Sequence, residues 1–223
     1  MTDPAVGIDG YRGGWVAAIL EGPGVSWATA PVDAIAGLLP TSGLVGVDMP
    51  IGLLDEGWRA CDALAKQELG SASARVFMTP PRPVLELGAG APNDVVQDLS
   101  RRLTGQGVSR QALGLAERVL ALDRALHRRS RVRVVEVHPE LSFTELTGRT
   151  LPSKKSAGGV AARFAALRGW RPDTEQVVAR APADVPIDDA LDALAALWSA
   201  LRWREGLART LPADALAPPF VAI

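Results

Sequence analysis

Two short segments of this sequence end in an aspartate where an apolar run breaks: Val6-Gly7-Ile8-Asp9-Gly10 and Val45-Gly46-Val47-Asp48-Met49-Pro50. Runs of this length, rich in Val and Ile, read as buried strands. An acid at the C-terminal end of a buried strand has reached the rim of the sheet, where ligands bind in open α/β architectures. If the two strands are neighbours, Asp9 and Asp48 sit side by side. Close carboxylates repel, so they need a shared proton or a cation. The chemistry this pattern suggests is metal binding.

Further acids lie in Ile187-Asp188-Asp189-Ala190-Leu191-Asp192. Ile187, Leu191, Leu194, Trp198 and Leu201 form an apolar stripe at helical spacing. At about 100° per residue, Asp188 and Asp192 fall on one edge of that stripe, with Asp189 farther toward solvent. Acids one turn apart destabilise a helix unless something such as a cation compensates. Acids in a first turn also suit the helix dipole, which is the plainer account of Asp188 and Asp189. Glu136 ends another apolar run and offers a further rim carboxylate or an exposed strand-end acid. His138 is a general acid/base or a residue bonding loop backbone. Lys154 and Lys155, in a glycine-flanked loop before a helix, suit contact with phosphate, or are simply solvated. Arg82 in a long loop, and Arg12 in the first turn, are further candidates for a substrate anion. Cys61 reads as a small packed residue.

The elements that must position these groups follow from the patterning. Residues 5–9, 15–20 and 25–28 read as three antiparallel strands joined by glycine turns. Residues 31–39 read as a short helix, and 44–48 as a fourth strand parallel to the first. A helix is expected over 56–69, loop over 70–107, and a long helix from Ser109 to about Arg128. A fifth strand spans Arg131–Val137. Helices follow over 139–146, 159–167 and 187–207, with 171–186 as linker. The long Gly-, Pro- and Ser-rich stretch reads as a lid or an insertion, roughly 70–130. The whole is a single domain, 1–223.

With 223 residues, 48% of them hydrophobic, the chain can bury one full core, and a net charge of −1 gives no global attraction to polyanions or to a membrane surface. A single cysteine rules out an internal disulfide and a cysteine-based zinc site, and two histidines rule out a histidine-rich one. Any metal would be held by carboxylates, which favours Mg²⁺ or Mn²⁺. The absence of a signal-like segment or an apolar span makes a cytoplasmic protein without membrane contact the expectation.

The order of strands and helices is that of the ribonuclease H-like fold, a five-stranded mixed sheet of order 3-2-1-4-5 with flanking helices. Gly7-Ile8-Asp9-Gly10 with Gly13-Gly14-Trp15, and Val47-Asp48-Met49-Pro50-Ile51-Gly52-Leu53, resemble one particular family. So do Arg75-Val76-Phe77 with Pro80 and Arg82, Ser109-Arg110-Gln111, Glu136-Val137-His138-Pro139-Glu140 with Phe143, Ser153-Lys154-Lys155, and Asp188-Asp189-Ala190-Leu191-Asp192-Ala193. That family is uncharacterised and is described as predicted ribonuclease H-like nucleases. The resemblance runs from about residue 5 to 212. It implies Asp9 and Asp48 as the strand acids. It also implies an Asp-x-x-Asp pair, Asp189 with Asp192, like the acid-bearing helix of RuvC-type resolvases. Two departures fall in the insertion. Leu115-Ala116-Glu117-Arg118 stands where the family has a lysine-rich helix, and Arg75 replaces a serine.

Three functions are consistent with these residues. The first is a nuclease acting on DNA or RNA by a two-metal mechanism, with metal at Asp9, Asp48, Asp192, Asp189 or Asp188, and Glu136 and His138 as further catalytic groups. Lys154, Lys155, Arg82 and Arg12 would hold its substrate. The second is an actin-like ATPase or phosphotransferase, for which no second phosphate loop is evident. The third is a non-catalytic nucleotide- or nucleic-acid-binding module. Resolvase-like enzymes often pair, which leaves a homodimer open.

Overall fold

The computed structural model describes residues 3–88, 90–127, 132–213, 215 and 218–223. Three strands, β1 (Ala5–Tyr11), β2 (Gly14–Glu21) and β3 (Gly24–Ala30), form the expected antiparallel meander. A 3-10 turn over Val32–Gly37 replaces the expected helix and leads into β4 (Gly43–Val47), which pairs parallel with β1. The β1–β2 turn is only Arg12-Gly13, because β1 runs on to Tyr11.

The segment between β4 and β5 (Val132–Val137) carries α1 (Ala60–Leu69), a 3-10 turn (Gly70–Arg75), α2 (Arg82–Leu87), α3 (Asn93–Thr104), α4 (Arg110–Gly114) and α5 (Ala116–Leu126). Residues 70–107 are therefore largely helical, not loop. Val96, Leu99 and Leu103 keep helical spacing through a glycine- and proline-rich context and build a small core with Val84, Val108, Ala112 and Leu113. The long helix expected from Ser109 is broken at Leu115 into α4 and α5. Its expected end at Arg128, and Arg131 at the start of the fifth strand, lie outside the described residues.

Next come α6 (Pro139–Thr147), α7 (Ala157–Trp170), α8 (Thr174–Val178), within the expected linker, and α9 (Ile187–Arg204). Two further strands, β6 (Thr210–Leu211) and β7 (Val221–Ala222), were not apparent in the sequence pattern, because two residues carry no alternation. Together the strands form a seven-stranded mixed sheet of order β3-β2-β1-β4-β5-β7-β6. The expected 3-2-1-4-5 order is present, and the two C-terminal strands extend it beyond five.

The period of two along each strand divides the core. Val6, Ile8, Val45 and Val47 face the layer containing Ile35 and α5, while Leu44 and Ala5 face α9 and its neighbours. Helix α9 is buried along nearly its whole length and lies on β1 and β4.

Candidate functional site

In β1 and β4 the same tripeptide pattern occurs twice, Gly7-Ile8-Asp9 and Gly46-Val47-Asp48, and the register pairs Gly7 with Gly46 and Ile8 with Val47. Asp9 and Asp48 are the next positions along, and the Asp48 N–H donates to the Ile8 carbonyl at 2.9 Å. By alternation both acids share the sheet face on which the glycines lie.

The glycines decide how close α9 comes. A Cβ on Gly7 would run into the Ala193 carbonyl oxygen and the Leu197 amide nitrogen; one on Gly46 would run into the Ala196 carbonyl. The helix backbone therefore rests directly on the two strands. Two strand residues advance about 6.6 Å, and one helical turn about 5.4 Å. Asp9, two residues beyond Gly7, thus meets Asp189, four residues before Ala193. By the same count Asp48 lies on the side of Asp192, four residues before Ala196, whose charge acts on it, although Asp48 stands outside the closest group of acids. Carboxylate oxygens of Asp9, Asp189 and Asp192 lie within 4.8 Å of one another.

These acids sit where charge is costly. Asp9 and Asp192 are 5% and 3% exposed. Burial, reinforced by Asp48, raises Asp9 well above the usual carboxylate range. Burial and the charge of Asp192 push Asp48 up to about 8, and burial with Asp188 pushes Asp189 up to about 6. Two unit charges this far apart repel by roughly 3–4 kcal/mol at an effective dielectric near 20. Only Asp192 has a cation: Lys154 Nζ donates to its Oδ2 at 2.5 Å. Desolvation works against the ammonium, but Asp192 holds the Lys154 pKa above its ordinary value. The other Asp192 oxygen, Oδ1, is buried without a hydrogen-bond partner. Asp9, Asp48 and Asp189 have no ion-pair partner among the described residues.

Asp188 takes a different place. Its carboxylate accepts from Lys155 at 2.8 Å and lies 3.8 Å from Lys154. Asp188 and Asp192 do share an edge of α9, as the wheel indicated, but that edge faces the lysine loop. Asp189, read as nearer solvent, is the one turned to Asp9, in agreement with the Asp-x-x-Asp spacing.

Glu136 is not an exposed rim acid. Its Oε1 accepts from Arg59 Nη2 at 2.5 Å, and its Oε2 accepts from Arg59 Nη1 at 2.9 Å and from the Ile51 N–H at 2.7 Å. The same guanidinium donates to Asp62 and to the Ile51 carbonyl, and Asp62 accepts the Thr79 N–H at 2.7 Å. Arg59, 1% exposed, thus ties α1, β5 and the Met49-Pro50-Ile51 turn behind Asp48 into one buried network. The grouping of Cys61, Asp62 and Glu136 is already bridged by this guanidinium, and burial pushes the Cys61 thiol up to about 12. Arg59 and Asp62 were missed in the sequence, where nothing marks a pairing across 77 residues.

His138 lines the same cleft. Burial lowers its imidazole to about 4, against a hydrogen bond with the Arg75 backbone. Its Nδ1 is buried without a partner. Glu140 is held by Arg163 at 2.5 Å and Arg75 at 2.7 Å. Arg82 does not reach the cleft: its fork donates to both oxygens of Asp123, at 2.8 and 2.9 Å. Arg12 is exposed in the hairpin turn and does not line the cleft either. Asp9, Asp48, Asp189, Asp192, Glu136, His138, Lys154 and Lys155 all line one cleft of about 370 Å³.

The all-oxygen donor set, its uncompensated charge and the orphaned Asp192 Oδ1 fit a hard divalent cation. Among the described residues no helix is long and apolar enough to cross a membrane. Comparison with protein families matches residues 7–217 to the family described as "Protein of unknown function (DUF429)". That span covers nearly the whole chain, which therefore belongs to this family. No curated protein and no solved structure matches it.

Proposed function

We propose that this member of the family is a metal-dependent nuclease with a ribonuclease H-like fold, hydrolysing phosphodiester bonds of DNA or RNA. The observation that carries the reading is the grouping of Asp189 and Asp192 of α9 with Asp9 of β1, beside Asp48 at the end of the neighbouring parallel strand, with one Asp192 oxygen left unpartnered. Strand order β3-β2-β1-β4-β5 supports the fold assignment.

Asp9, Asp48, Asp189 and Asp192 would hold Mg²⁺ or Mn²⁺. Such ions, when bound, activate water and stabilise the leaving oxygen of an in-line displacement. Asp9 and Asp48 supply the charge that draws the cation into a buried cleft. Arg59, through Glu136 and Ile51, fixes the turn that follows Asp48. Lys154 neutralises Asp192, and Lys155, mostly exposed beside Asp188, is placed to meet a phosphate at the rim. The shortage of free basic residues in the cleft supports a weak electrostatic hold on the polymer.

The test is cleavage of labelled single-stranded, duplex, hybrid and branched substrates with Mn²⁺ and with chelator, for wild type and Asp9→Asn. Cutting that needs Mn²⁺ and is lost in the variant supports the reading. No cutting of any substrate sinks it.

A further inference from the structure

The acids without an arginine partner come from β1, the end of β4 and α9, whereas the β4–β5 insertion, besides the ion-paired Asp62 and Arg75, lines the cleft with residues of another kind. Phe77, Thr79, Gln111 and Leu115 belong to this wall, and Met49 adjoins it from the turn after Asp48. Among the described residues Phe77 is the one Phe, Tyr or Trp ring lining the cleft, which His138 also lines. It packs on the insertion's own small core yet stays only half-buried. Gln111 is exposed at the start of α4, and its amide, with donors and an acceptor, makes no side-chain hydrogen bond among the described residues.

We propose that this wall is a nucleobase subsite, so that substrate enters the cleft as an unpaired nucleotide with its base against Phe77, Met49 and Leu115 and its polar edge toward Gln111. The inference rests on the nuclease reading for the phosphate beside it. Every base has a π-face that stacks on an aromatic ring, and unpaired bases expose hydrogen-bonding edges to side-chain amides. A cleft of about 370 Å³ lies at the low end of the range for small-molecule sites, roughly 300–1,000 Å³. That is room for one nucleotide, not for a duplex. Duplex binding also relies on many Lys and Arg contacts to phosphate. Here the basic residues of the lining, Arg75, Lys154 and Lys155, are each already paired with an acid.

Calorimetry in Mn²⁺ buffer with thymidine 5′-monophosphate and with 2-deoxyribose 5-phosphate, which lacks the base, tests the subsite apart from catalysis. The nucleotide is expected to bind tighter by about tenfold or more, the order of one base–aromatic stack. Phe77→Leu and Gln111→Ala should each shrink that preference, and Phe77→Trp should restore it. Gln111→Ala changes only an exposed side chain, so its folding is not in question. Equal affinity for the two compounds, or binding of neither, overturns the subsite even if oligonucleotides are cut. A base preference without any cutting upholds the subsite and removes the nuclease reading.

Discussion

Gly7 and Gly46 are register partners on adjacent parallel strands, and each is a place where the backbone of α9 touches the sheet. Their lack of side chains sets the height of the helix, and the acids two residues beyond them inherit that spacing. The candidate site is thus assembled by packing in the core.

A side chain at either glycine should therefore act on both stability and the site. Gly46→Ala forces α9 away from β4 at the cost of overpacking, about 3 kcal/mol. For a domain of this size that corresponds to a fall in Tm of roughly 6–12 °C. Mn²⁺ affinity should fall with it, since Asp192 moves away from Asp48. Thermal melts with and without Mn²⁺ check both effects; an unchanged Tm would show that the helix does not rest on the glycine.

Arg59 should be intolerant of replacement. Arg59→Met leaves Glu136 and Asp62 buried without their cation, which costs about 3–5 kcal/mol. The loss should be greater at pH 8 than at pH 5, because burial raises the Glu136 carboxyl and Arg59 is the main group opposing it, so without Arg59 the folded state holds a proton that the unfolded state has released. Arg59→Lys keeps the charge but not the fork that serves three segments, and should fall between. Urea melts at the two pH values measure this. Equal stability of wild type and Arg59→Met would contradict the network's role.

The acid cluster predicts the pH dependence of the metal-free protein. Asp48 is pushed up to about 8 and Asp189 to about 6, from an ordinary value near 4. The folded state then holds protons that the unfolded state has released, so stability falls as pH rises from about 4 toward 8. Below that window both states are protonated and the effect vanishes. Mn²⁺ replaces the protons, so its stabilising effect should be larger at pH 8 than at pH 5. Asp48→Asn should flatten the metal-free slope. A Tm that rises steadily through this window, unaltered by Asp48→Asn, would contradict the assignment.

Much of this was legible because strong signals coincide. Apolar runs with glycine turns disclosed the first five strands, and Val47-Asp48-Met49-Pro50 marked where a strand leaves the core. Asp9, Asp48 and Asp192 could be read from those breaks and from a stripe on a long helix. The choice between Asp188 and Asp189 could not, because a wheel gives angle but not which neighbour lies at that angle: Lys154 and Lys155 approach from one side, and β1 from the other. Arg82 looked available as a loop arginine, yet Asp123, far along the chain, occupies its fork. Helices α2 and α3 of the insertion were hidden by glycine and proline at their ends, and β6 and β7 by their length.

The most direct test of the central claim is Mn²⁺ binding by calorimetry for wild type, Asp9→Asn and Asp192→Asn. If strand and helix acids share one metal centre, wild type binds and each variant loses about tenfold or more, at least ~1.4 kcal/mol. If wild type gives no binding heat across pH 6 to 8, or if either variant binds as tightly as wild type, the acids meeting between β1, β4 and α9 do not form that centre.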